Sequence, residues 1–303
     1  FDGYLGRSAV AVNGSRGSVL EIADLQKSKD GFGVFGNYNS TGGQEFGSNL
    51  FNNVKVAYDA SAETKAWTYS PLKYWPTDGH VDFLAYAPRV DNKQLKGSSI
   101  DFTVESDAAN QKDLLWANAT SQTKANKTVT FNFKHALAKI GYKVQLNGDY
   151  TGTTIKLNKI TLAGSNDGKG TNKAFYKTGT IDLSYTSTTK LWTPSEEKQD
   201  FEWFSGDEQL SKTPAVENPT TKYLFVIPQN FKTGTDQLYV IVEYTITYSD
   251  NTTVKTKVCK QLEKEFLQGK AYTINLTIGL TPIEFNATVD SWGDIEDYPI
   301  TLE

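Results

Sequence analysis

Apolar and polar residues alternate with period two along most of this chain, in blocks separated by about ten to fifteen residues, the spacing of β-sandwiches and barrels. In "DQLYVIVEYTITYSDNTTV" Leu238, Val240, Val242, Tyr244, Ile246 and Tyr248 share one face. "SDNT" then supplies a hairpin turn, and Val254, Thr256 and Val258 begin the return strand. "KAYTINLTIGL" repeats the pattern through Tyr272, Ile274, Leu276 and Ile278, and "FGVFGNY" and "NVKVAYD" predict two shorter strands around the loop "NSTGGQEFGSN". "KQLEKEFLQG" predicts a short helix ended by Gly269.

Two segments depart from simple alternation. In "VTFNFKHALAKIGYKVQLNGD" the apolar positions are odd at Val129, Phe131 and Phe133 but even at Ile140, Tyr142, Val144 and Leu146. A continuous strand cannot change parity, so a bulge or a bend between sheets is expected within "KHALAK", with a short helix as the weaker reading. In "VDFLAYAP" Val81, Phe83, Ala85 and Ala87 occupy one face and Leu84 and Tyr86 the other. Apolar residues on both faces predict a strand covered on both sides. That strand closes the aromatic run "AWTYSPLKYWPTDGHVDFLAYAP", where Pro71, Pro76 and Pro88 pin the turns and set Trp75 at a rigid corner. The run therefore reads as core rather than as a displayed binding platform.

The polar stretch "ANATSQTKANKT" (117–128) has no periodicity and predicts a linker. It divides the chain into residues 1–125, an N-terminal β-sandwich, and 126–303, a C-terminal β-sandwich ending in an extended segment from about 282 to 303. "AGSNDGKGTNKA" reads as a long hairpin connection in the second part.

Composition narrows the class. Among 303 residues, 13% are aromatic and 24 are glycine, which with abundant Thr and Asn suits an all-β protein. The net charge of −4, with dispersed basic residues, gives nucleic acid little electrostatic hold. One cysteine, Cys259, excludes an internal disulfide framework and any multi-cysteine metal site, and it reads as a small strand residue. The opening at Phe1 and the lack of methionine suggest a processed segment, as from an exported precursor.

Candidate chemistry is sparse. His80 and His135 are the only histidines, and no nucleophile motif accompanies them, so both read as structural or surface residues. "DFEWF" (200–204) mixes acids and rings as a glycosidase site does, yet it equally describes a strand with Phe201 and Trp203 inward and Glu202 outward. "SNDGKG" lacks the acidic spacing and closing glutamate of a calcium loop and reads as a turn. No catalytic residue, cofactor or metal is expected.

The order of "FGVFGNYN", "WTYSPLKYWPTDGHVDFLAYAP", "QKDLLWA", "VTFNFKHALAKIGYKV" and "LQGKAYTINLTIGL" resembles the fimbrillin-like (Mfa-like) proteins of Bacteroidetes, type V pilus subunits and related surface adhesins. The resemblance runs from about Arg16 to Trp292. It implies two tandem transthyretin-like (Greek-key) β-sandwich domains without catalytic machinery. It also implies export to the outer membrane and fimbrium as a lipoprotein precursor, and assembly with other pilus subunits by strand addition after a cut behind an N-terminal arginine. Arg16, preceded by the alternating "SAVAV", is the preferred site and Arg7 the alternative; both could equally be solvated loop residues. The donor segment would carry Ile283, Phe285, Ala287 and Val289, whose plainer reading is an ordinary last strand. Host or bacterial surface ligands are possible partners in this scheme. The runner-up function is a surface glycan-binding module using exposed aromatics such as Trp192 or Trp203, and a glycoside-processing enzyme is a weaker third.

Overall fold

The structure is a computed structural model that describes residues 2–5, 20–61, 66–126, 128–186, 190–219, 222–280, 284–291 and 300–301. It is almost entirely β. The chain begins with β1 (Asp2–Leu5), helix α1 (Ile22–Lys27), β2 (Phe32–Asn39), β3 (Phe51–Asp59), β4 (Ala66–Tyr69), β5 (His80–Ala87), β6 (Ser99–Thr103), β7 (Leu115–Gln122) and β8 (Thr130–His135). It continues through β9 (Ala138–Leu146), β10 (Thr154–Ala163), β11 (Phe175–Tyr176), β12 (Thr178–Asp182), β13 (Trp192–Pro194), β14 (Lys198–Gln199) and β15 (Phe201–Gln209). The remainder is β16 (Val216–Glu217), β17 (Leu224–Val226), β18 (Gln229–Asn230), β19 (Tyr239–Thr247), β20 (Thr253–Gln261), β21 (Glu265–Phe266), β22 (Lys270–Ile278), β23 (Glu284–Ser291) and β24 (Ile300–Thr301).

Seven strands in the order β1-β8-β7-β5-β2-β3-β4 build the first large sheet. A second large sheet runs β16-β9-β22-β23-β24, with β17 also on β9, and faces a four-stranded sheet ordered β15-β10-β19-β20. The inward residues of these two sheets, among them Tyr142, Val144, Ile160, Leu162, Val240, Ile274 and Leu276, form one continuous core.

The two-sided apolar strand finds its explanation in β5. Val81, Phe83, Ala85 and Ala87 join the aromatic core of the first sheet with Phe32, Phe51, Phe131 and Phe133. Leu84 and Tyr86 point the other way, into the larger core that contains the second part of the chain. β7 divides likewise, Leu115 and Ala117 entering the first core and Trp116 the second. Alternation at period two thus lets a single strand bind two layers. Gly33 permits the close approach this needs: a Cβ there would lie 2.5 Å from the Tyr86 ring. The Tyr86 hydroxyl donates to Asn53 Oδ1 at 2.9 Å and accepts from the Val90 N–H at 3.2 Å.

The parity change behaves as expected. β8 ends at His135 in the first sheet and β9 begins at Ala138 in the second, so the chain crosses between sheets at Ala136 and Leu137, both fully buried. The 239–261 hairpin is present with Ile246 opposite Val254 and Val242 opposite Val258.

Other expectations are corrected. Residues 117–122, expected to open a linker, belong to β7, because their backbone pairs with β5 despite the polar side chains. The 125/126 boundary falls between β7 and β8, both in the first sheet, and β6 pairs with β12. "KQLEKEFLQG" is not helical: Lys260 and Gln261 belong to β20 and Glu265 and Phe266 to β21, since tertiary pairing overrides local propensity. "AGSNDGKGTNKA" does not close a hairpin, because β10 pairs with β15 and β19 while β11 pairs with β14. Helix α1 had no sequence signal strong enough to mark it; it is six residues long and held by a capping box between Glu21 and Asp24.

Candidate functional site

The edge of the first sheet is built from β8 and what covers it. Phe131 and Phe133 are buried and point into a ring cluster, with Phe32 5.8 Å from Phe131 and 5.1 Å from Phe133 in edge-to-face contact. Their neighbours Thr130 and Asn132 are exposed, so the alternation fixes which way β8 faces. β7 reaches β8 only at Leu115–His135 and Trp116–Lys134. Thr130, Phe131, Asn132 and Phe133 pair instead with Asp2, Gly3, Tyr4 and Leu5 of β1, in parallel. Among the described residues, four of the six β8 residues therefore find their only strand partner in β1. Gly3 stands opposite Phe131 and brings no side chain to that position. Arg7 and Arg16 lie outside the described residues.

The chain returns to description at Leu20, whose N–H donates to Asp113 Oδ2 at 3.1 Å. The same oxygen lies 2.7 Å from His135 Nδ1. Asp113 is buried, and its Oδ1 has no hydrogen-bond partner among the described residues. This carboxylate ties the segment behind the N-terminal strand to the crossover between sheets. His80 is held similarly, its Nε2 lying 3.2 Å from Asp82 Oδ2. Sequence reasoning gave neither histidine a partner. Asp113 is 22 residues from His135, and no local pattern announces it. In each case the carboxylate fixes an imidazole within the framework of the first sheet.

The proposed donor segment is placed next to β22. Phe285, Ala287 and Val289 stand in register opposite Leu276, Ile274 and Tyr272. β22 pairs in parallel with β9 on its other side, and β24 follows β23 at Ala287–Ile300 and Asn286–Thr301. Ile283 lies outside the described residues.

The aromatics of the glycan reading are not displayed. Trp203 is 2% exposed, stacked edge-on against Tyr142 at 4.8 Å, and its indole N–H donates to Lys222 O at 2.9 Å. Trp192 is also buried and donates to Ala136 O at 2.7 Å. Both are core residues because strand alternation turns them inward, as it does Phe201. The "DFEWF" segment is accordingly a strand, with Glu202 outward and bridged to Lys159. In the opening aromatic run, Trp67 is buried and Trp75 half-buried against Phe83, but Leu72 and Tyr74 are exposed. Tyr74 rims a groove of about 190 Å³ floored by Phe51, Val81, Phe83 and Val129. The core expectation for that run therefore fails at Leu72 and Tyr74.

Burial dominates the shifted ionisations. It pushes the Tyr142 and Tyr272 hydroxyls up to about 12. It also raises the Cys259 thiol, against the opposing pull of Lys257, so this exposed strand cysteine is a poor thiolate at neutral pH. "SNDGKG" is a turn in which Asp167 accepts from the Lys169 and Gly170 N–H groups and from Ser165 Oγ, which holds its carboxyl below the usual range. Among the described residues, no three His, Cys, Asp or Glu side chains gather as a metal site would require.

Known proteins place this arrangement. The sequence matches the fimbrillin-like family over residues 22–292. The fimbrium subunit Fim1C of Phocaeicola vulgatus is 26% identical over 340 aligned positions, covering 95% of this chain and 88% of that protein. The crystal structure of a candidate cell adhesion protein from Bacteroides uniformis shares the fold, with a TM-score of 0.50 at 17% identity over 86% of this chain and 90% of that one. Since the family match extends from helix α1 to the residue after β23, this chain belongs to the fimbrillin-like family.

Proposed function

We propose that this chain is a non-catalytic subunit of a cell-surface fimbrium, exported as a lipid-anchored precursor and assembled by strand exchange. A cut after Arg16, or after Arg7, separates β1 from the rest of the chain. The C-terminal segment of a neighbouring subunit, with Ile283, Phe285, Ala287 and Val289 at alternate positions, then takes the vacated place along β8.

One observation carries this reading: Thr130–Phe133 pair with β1 and with no other described strand. Losing β1 leaves the backbone donors and acceptors that alternate residues of Thr130–Phe133 turn toward it unpaired, beside two buried phenylalanines. An open edge of that kind is a template for another strand, and filling it recovers the lost hydrogen bonds. The relationship to Fim1C supports the same role.

The family and the framework role of both histidines also support the absence of catalysis, since neither imidazole–carboxylate pair is joined to a nucleophile motif in the sequence.

The reading is tested by digestion with an arginine-specific protease followed by gel filtration. Cut protein is expected to form a ladder of oligomers, while a protein with Arg7→Ala and Arg16→Ala stays monomeric under the same treatment. A cut chain that remains monomeric contradicts the proposal.

A further inference from the structure

The four-stranded sheet β15-β10-β19-β20 is open at both ends. Among the described residues β20 pairs only with β19 and β15 only with β10. Both edge strands are nine residues long. They carry opposite charge: β20 holds Lys255, Lys257 and Lys260 and no acid, whereas β15 holds Glu202, Asp207 and Glu208 and no base. All of these side chains except the half-buried Lys260 are exposed.

From this complementarity we infer that the basic edge β20 of one copy docks on the acidic edge β15 of a second copy, extending the sheet from subunit to subunit.

Strand direction permits it. Each neighbouring pair in the sheet is antiparallel, so β15 and β19 run one way and β10 and β20 the other. A second copy placed in the same orientation brings its β15 alongside β20 antiparallel, and the sheet alternates without a break. Two bulges fold the nine residues of β15 into seven rows of its neighbour β10, whereas β20 is regular, so setting Lys255 opposite Asp207 places Glu202 between Lys257 and Lys260. The charges thus match in order as well as in sign.

Like-with-like pairing fails the same examination. Two antiparallel β20 strands aligned end to end set Lys257 against itself, and two β15 strands set Glu202 against Glu208. Lysines on an edge are a common guard against self-pairing, and here they repel a second β20 while leaving the acidic edge as partner. A contact between two different patches does not close on itself, so it propagates as an open chain of copies. It uses neither β1 nor β8 and does not require proteolysis.

Register shifts in β15 at Ser205–Glu208 and at Glu202–Phe204 keep its backbone from forming a complete ladder, so the charge pairs carry much of the contact. The association is therefore weak in dilute solution, sensitive to salt, and strongest where copies are already held side by side.

The test uses the uncut full chain in sedimentation velocity, at the highest soluble concentration and low salt. Species larger than the 33.6 kDa monomer are expected to grow with concentration and to revert in about 1 M salt, where charges act over only about 3 Å. The double variant Lys255→Glu with Lys257→Glu, and the double variant Asp207→Lys with Glu208→Lys, are each expected to associate at least about tenfold more weakly. An equimolar mixture of the two is expected to associate again, because each supplies the edge the other lacks. A single monomeric species for the unaltered chain overturns the inference, as does association that survives both charge reversals or a mixture that stays monomeric. Circular dichroism of each variant separates lost docking from lost folding.

Discussion

Replacing Trp203 with alanine is expected to lower the unfolding free energy by about 3–5 kcal/mol, the range for removing a large buried aromatic. The ring is 2% exposed and meets Tyr142 edge-on at 4.8 Å, so its removal leaves a void between β15 and β9. It also leaves Lys222 O without the indole N–H that reaches it at 2.9 Å. Trp203→Phe keeps most of the packing and loses the hydrogen bond, and should cost markedly less. Urea denaturation measures both, and a loss below about 1 kcal/mol for Trp203→Ala would show that the ring is not part of the core. The same experiment bears on function, because a sugar-stacking tryptophan is displayed at the surface and its removal leaves stability nearly unchanged. Trp203 is placed to stabilise the fold that presents the β8 and β15 edges.

Asp82→Ala should cost about 3 kcal/mol, through lost hydrogen bonds rather than through a cavity. Asp82 is fully buried on the polar part of β5, beside Asn37 in register. Its Oδ2 accepts from Asn39 Nδ2 at 2.6 Å and its Oδ1 from the Ser121 N–H at 2.7 Å. Asn37 in turn donates to Asn39 Oδ1 at 2.9 Å. Ser121 has a positive φ of 54° at the register shift where β7 passes β5, so this carboxylate stabilises a bulge that an unassisted backbone avoids. Removing the carboxylate strands the Ser121 N–H and leaves Asn39 Nδ2 with the Glu45 carbonyl, at 3.2 Å. Asp82→Asn should fall between wild type and Asp82→Ala, since an amide retains one acceptor and turns a donor toward the other N–H. Thermal unfolding orders the three proteins. Asp82→Ala equal in stability to wild type contradicts the account of this network.

Much of the architecture is written in parity. The Val129–Phe133 and Ile140–Leu146 registers place the crossover, and the Val81–Ala87 run predicts a strand between two layers. Both follow because a strand has only two faces, so alternation reports contact directly. Polar segments report much less. Residues 117–122 look like a linker yet pair with β5 through the backbone, which no side-chain pattern encodes. The lysines and glutamates of 260–265 favour a helix locally and are overruled by pairing with β19 and β18. The carboxylate of Asp113 meets His135 only because β7 and β8 lie side by side at that point. The candidate site divides in the same way. Its apolar face at Phe131 and Phe133 is legible as alternation, but the dependence of Thr130–Phe133 on β1 is a fact of topology. The complementary edges β15 and β20 are invisible until the sheet order is known.

The central claim is that β1 is a removable occupant of the β8 edge, and amide hydrogen exchange at Thr130–Phe133 tests it most directly. The alternate amides of this segment that point at β1 should exchange slowly in the intact protein and rapidly once an arginine-specific cut has separated residues 2–5. Adding a peptide of residues 283–291 should slow them again. Protection at Thr130–Phe133 that is unchanged by the cut would contradict the account.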